Sequence, residues 1–171
     1  MKLEERRSVI AIDPTSNGVA FVCFEGGELL DWGERYVRGR RDELRVIDEL
    51  LGAVAADVLV VEDPEAEGCR RRARVREFLR AVISHTRRCG VAVVAIARKD
   101  VRAAWKRRGM RTKEMMAATI AEEFRDLQPL VPPRRRAGHN EHPHANIFDA
   151  ASLAIHAFGP APYSSADDLR R

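Results

Sequence analysis

Three carboxylates stand where apolar segments end or pack. Asp13 follows the apolar stretch 9–12 in "SVIAIDPTSNGVAFVCF", and Glu62 closes "VLVVE". Asp149 interrupts "IFDAASLAI", whose Ile147, Phe148, Leu153 and Ile155 form an apolar stripe. Each has an ordinary reading: Asp-Pro opens turns, a strand-end Glu is solvated, and a helical Asp faces water. The stripe around Asp149 instead predicts burial. Carboxylates brought together repel one another and need a cation to offset the repulsion. An all-oxygen set favours hard cations, Mg²⁺ or Mn²⁺. Two such ions, about 3.5–4 Å apart, activate a water and stabilise the leaving oxygen in phosphodiester cleavage.

The basic residues point the same way. Net charge is +4 and the isoelectric point about 9.3, with the excess clustered in "CRRRARVR" (69–76), "RKDVRAAWKRRGMRTK" (98–113) and "PPRRR" (132–136). Clustered arginine suggests a polyanion, most simply nucleic acid, against the alternative of solvated helix faces. The candidate contacts are Arg70, Arg71, Arg72, Arg102, Arg107, Arg108, Arg111 and Lys113. Trp105, set among them, either stacks on a base or anchors its helix to the core. Cys23, Cys69 and Cys89 are odd in number and scattered, which argues against a disulfide framework and gives no CxxC zinc spacing. No apolar run approaches the roughly 20 residues of a membrane helix. The start "MKLEERRSVIAID" shows no signal-peptide apolar region, so a cytoplasmic address is expected.

These residues need a scaffold to bring them together. The pattern predicts strands over 8–13 and 18–24, with the chain turning at Asp13 and "SNG". Gly26-Gly27 suits a two-residue hairpin turn into a third strand, 28–37. A helix over 40–57, a buried strand over 57–62, a helix over 72–90 stopped by Gly90 and a buried strand over 91–97 follow. Next come a helical turn at 99–105, a helix over 111–127 with Thr112 as N-cap, a Pro-broken loop and a last helix over 144–159. This order predicts an α/β fold. Its mixed five-stranded sheet has a three-strand antiparallel meander plus two strands parallel to the first, with helices on both faces. One domain, 1–159, and a polar tail, 160–171, are expected. In such a sheet Asp13 and Glu62 emerge at the same edge, and a helix packed across it brings Asp149 to the same point.

At this level the chain resembles the RuvC-type Holliday junction resolvases of the RNase H-like superfamily. "AIDPTSNGVAF" resembles the first family motif and "VLVVED" the second. "VRAAWKRRGMRTKEMM" resembles the DNA-contacting segment, with Val101-Arg102, Gly109 and Lys113 in place, and "FDAASLAIHAF" the closing motif. The resemblance spans residues 8–158. It implies an RNase H-like fold and a divalent-metal endonuclease of DNA recombination and repair, acting as a homodimer on four-way junctions with Mg²⁺ or Mn²⁺, two ions per site. Asp13, Glu62 and Asp149 match three of the family's four acidic ligands, and the fourth position is Asn146. Asn146 can ligate through its carbonyl oxygen but adds no charge, and His144 or His142 can compensate. His144 is the candidate ligand or proton donor within a turn or two of Asp149. A second departure follows Glu62, where "EDPEAEGCRRR" lacks the aromatic residue that RuvC uses at the junction centre. Three alternatives stay open: a nuclease for an RNA–DNA hybrid or flapped DNA, a catalytically weak nucleic-acid-binding scaffold, and an actin-like nucleotide binder. For the last, "DPTSNG" is a poor phosphate loop.

Overall fold

The computed structural model describes residues 7–133, 142 and 144–159. The predicted tail and the arginines at 134–136 lie outside the described residues. The elements in chain order are β1 (Ser8–Pro14), β2 (Gly18–Glu25), β3 (Glu28–Tyr36), α1 (Arg40–Ala53), β4 (Val58–Glu62), α2 (Ala73–Arg88), β5 (Ala92–Ile96), α3 (Arg98–Arg107), α4 (Lys113–Glu123) and α5 (Ala145–Phe158). A 3₁₀ turn, Arg125–Leu130, follows α4. The strand order is β3-β2-β1-β4-β5. β1, β2 and β3 pair antiparallel, whereas β4 and β5 run parallel to β1. This is the expected mixed sheet.

Period-two alternation splits each strand between two cores. Val9 and Ala11 of β1, Ala20 and Val22 of β2, and Val58 and Val60 of β4 pack with α3, α4 and α5. Ile10 and Ile12, Val19 and Phe21, and Leu59 and Val61 pack with α1 and α2 on the other face. α5 lies against β1 and β2 and is buried along nearly its whole length from Ile147 to Ile155. The apolar face of α2 is used up in the same way. Leu79 and Val82 are buried, and Phe78 and Ile83 pack against the core.

Several boundaries differ from the sequence reading. β1 continues through Pro14, with Asp13 paired to Ala20 across the hairpin, so Asp13 belongs to the strand and the turn comes after it. Thr15 N–H donates to Gly18 O at 2.9 Å to close that turn. At Gly18 a Cβ would lie 1.9 Å from Arg35 O, so only glycine lets β2 leave the turn against β3. α1 ends at Ala53, short of the predicted 57. Ser8 Oγ donates to the carbonyl of Val54 at 2.8 Å, so β1 supplies a partner that a longer helix would otherwise provide. β5 is half-exposed, not buried throughout, because as the edge strand it has β4 as its single neighbour. α4 stops at Glu123, where the chain tightens into the 3₁₀ turn.

Candidate active site

Alternation carries two of the three carboxylates to one face. Asp13 continues the series Val9, Ala11, and Glu62 continues Val58, Val60, all on the α5 side. The parallel register pairs Ala11 with Val60, so two residues further on Asp13 stands beside Glu62. α5 crosses this edge and carries Asp149. All three are buried: Asp13 is 0%, Glu62 3% and Asp149 4% exposed.

Three protein cations meet the three acids. Arg71, from the segment before α2, donates through Nη2 to Asp13 Oδ1 at 2.6 Å and through Nε to Glu62 Oε2 at 2.8 Å. Arg98, the first residue of α3, donates to Asp13 Oδ1 and to Glu62 Oε2, the latter at 3.2 Å, and pairs with Asp149 Oδ1 at 3.2 Å. Lys113 Nζ donates to Asp149 Oδ2 at 2.7 Å. Thr112 positions that lysine, since its side chain accepts from Met115 N–H at 3.2 Å and caps α4 as predicted. Burial pushes the Asp13 pKa up to about 6; Arg98 and Arg71 pull it down, and Asp149 and Glu62 push it up. For Arg98 burial works against the charge, but Asp13, Asp149 and Glu62 outweigh it and raise the pKa. Asp13 Oδ2 is buried with no hydrogen-bond partner. An oxygen-only donor set with one uncommitted buried oxygen fits a hard divalent cation.

Glu62 and Asp149 open onto a crevice of about 480 Å³. Asn146 lines it, one turn from Asp149, as the spacing requires. Of the predicted nucleic-acid contacts, Arg70, Arg71, Arg102 and Lys113 line the same crevice. Arg72 lines a neighbouring cavity together with His142 and Asn146. Arg107, Arg108 and Arg111 are exposed and line neither, because α3 starts at the site and runs about 15 Å away from it. His144 lies at the N-terminus of α5 and lines neither cavity; its Nδ1 is buried without a partner. Of the two roles open to Trp105, base stacking is ruled out by burial. Trp105 is 4% exposed in the α5-side core, with the Arg108 guanidinium 4.8 Å from its ring centroid, so the indole anchors α3 and presents no face to a base.

Arg98 is the residue that sequence reasoning missed. Its signal was positional: Ile96 of β5 packs on the α5 side, and two residues later the side chain returns to the face of Asp13 and Glu62. Another donor group, Asp48, His85 and Cys89, holds its ligand atoms within 4.8 Å of one another. It joins Asp48 of α1 to the C-terminal end of α2, toward the starts of the parallel strands, and His85 Nε2 pairs with Asp48 Oδ1 at 2.6 Å.

No protein-family model matches the chain, and no curated protein matches it in sequence. Among solved structures, Thermus thermophilus RuvC superposes with a TM-score of 0.53 at 20% identity, covering 88% of this chain and 95% of that one. T. thermophilus RuvC in complex with a Holliday junction substrate gives 0.54 at 19% identity, with 91% and 97% covered. The chain thus has the α/β, RNase H-like fold of RuvC over about nine-tenths of its length.

Proposed function

We propose that the chain is a divalent-metal-dependent endonuclease that cleaves phosphodiesters in branched DNA, four-way junctions foremost. The observation that carries this reading is the convergence of Asp13, Glu62 and Asp149, buried, beside a crevice lined by arginine and lysine. In this reading Asp13, Glu62 and Asp149, with the carbonyl of Asn146, hold Mg²⁺ or Mn²⁺, two ions per site. Bound there, the metal supplies an activated water and stabilises the leaving oxygen. The protein's own groups bind and orient the substrate. Arg70 and Arg102 line the crevice and contact phosphates, Lys113 shares its half-exposed ammonium between Asp149 and a phosphate, and Arg72, Arg107, Arg108 and Arg111 extend the footprint. Asp13, Glu62 and Asp149 are the catalytic residues in this reading; His144, whose Nδ1 is buried and which lines neither cavity, takes no part in it.

A four-way junction has two-fold symmetry, and paired cuts need two sites related by it, so the active form is a homodimer in this reading. The apolar face of α2 is already spent on the sheet, which leaves another surface for that contact. Among the described residues no helix is long and apolar enough to cross a membrane.

The second reading is a nucleic-acid-binding scaffold. It is favoured by Asn146 at the fourth ligand position and by the three protein cations already set on the acids. Incubation of a labelled four-way junction with Mg²⁺, with Mn²⁺ and with EDTA separates the two. The nuclease reading expects metal-dependent strand cuts that Asp13→Asn abolishes while DNA binding persists. Binding without cutting under either metal would assign the scaffold, and preferential cutting of a hybrid or flap would change the substrate.

A further inference from the structure

The guanidinium of Arg98 touches all three carboxylates, which come from β1, β4 and α5. Arg71 reaches two of them and Lys113 one. A planar fork with five donors can span acids on three elements, which a lysine ammonium cannot do in the same way. Arg98 and a divalent ion would draw on the same lone pairs of Asp13 Oδ1, Glu62 Oε2 and Asp149 Oδ1.

We propose that Arg98 is the resident counter-cation of the site: it holds the three carboxylates together before metal arrives, and a divalent ion enters by displacing its guanidinium. This inference rests on the nuclease reading above. Asp13 Oδ2 is buried and uncommitted, so an ion that displaces the guanidinium gains a ligand that Arg98 does not use. The Arg98 side chain is 14% exposed and lines the crevice, so it has somewhere to go when displaced. Metal binding is then an exchange of one cation for another. The apparent affinity is lowered by the contacts that Arg98 gives up.

The test is Mn²⁺ titration followed by electron paramagnetic resonance, with melting curves in EDTA, on the full chain at neutral pH. Arg98→Ala should bind Mn²⁺ about tenfold more tightly than the parent. In EDTA it should melt about 10 °C lower, because three buried acids lose their shared partner, and Mn²⁺ should restore most of the loss. Arg98→Lys keeps a cation and is the variant to use if the alanine protein does not fold. It should bind Mn²⁺ severalfold more tightly than the parent, with a smaller drop in melting temperature. Equal or weaker Mn²⁺ binding by the folded variants overturns the inference. It leaves the nuclease reading standing if the parent binds Mn²⁺ and Asp13→Asn does not. Absence of Mn²⁺ binding in the parent and in every variant overturns both.

Discussion

α3 carries arginines at both its ends, and they do different work. Arg98, at its start, is half-buried and paired to Asp13, Glu62 and Asp149. Arg107 and Arg108, at its far end, are exposed, and Arg108 lies over the edge of the core at Trp105. The side chains are the same and the helix is one rigid element. The surroundings make one end part of the site and leave the other to solvent or to a polyanion. An arginine count therefore overstates the phosphate-binding surface, because some of that charge is spent inside the protein. Trp105 teaches the same lesson: it sits amid basic residues in the sequence and is buried in the core.

The largest effect should come from the acids. Asp13→Asn should reduce junction cleavage to background while DNA affinity changes little, read by cleavage and binding assays on one preparation. Cleavage at the parent's rate would detach the carboxylates from catalysis and leave the comparison without its first half. Trp105→Ala should destabilise the fold by about 3–5 kcal/mol in urea unfolding, the cost of emptying a large buried site. If it were instead stable and defective in DNA binding, the core placement of the indole would fail.

The third prediction concerns pH. The folded-state pKa of Asp13 is raised from 3.8 to about 6, so between those values the folded protein holds more protons than the unfolded chain. This contribution to stability is fully present below pH 3.8 and is lost as pH rises through about 6. In EDTA the parent should lose a few kcal/mol across that window relative to Asp13→Asn, whose profile should be flatter. Parallel profiles would show that Asp13 titrates as it does in water.

Smaller effects separate the two ends of α3. Arg102→Ala, in the crevice, should lower the slope of log affinity against log salt by about one, equally for all DNA sequences. Arg98→Ala should leave that slope nearly unchanged, because its charge is committed to carboxylates. Sequence-selective loss at Arg102 would mean base readout. Last, Asn146→Asp should keep or modestly raise cleavage in Mg²⁺, since it adds a charge beside Asp149. A clear loss would show that the amide itself is needed.

Much of the site was legible because strands alternate. Asp13 and Glu62 could be placed on one edge from apolar runs of known length and from the parallel order of β1 and β4. Asp149 was legible because an acid inside an apolar helix predicts burial, and it is 4% exposed. Thr112 and Gly90 were legible because helix ends have local chemistry. The committed arginines were not. A long flexible side chain has no period, and its partner is set by whichever element crosses its path.

By itself, then, the sequence determined the element order, the mixed sheet, both apolar faces and the acids at one end. These follow from local propensity and from alternation, which act over a few residues. Tertiary structure alone decided that β5 is a half-exposed edge, that Trp105 is core, and that Arg71 and Arg98 lie on Asp13 across 58 and 85 residues of chain. Those outcomes depend on how helices pack over the sheet. Packing sets which charges lose water, and a charge that loses water takes the nearest opposite charge.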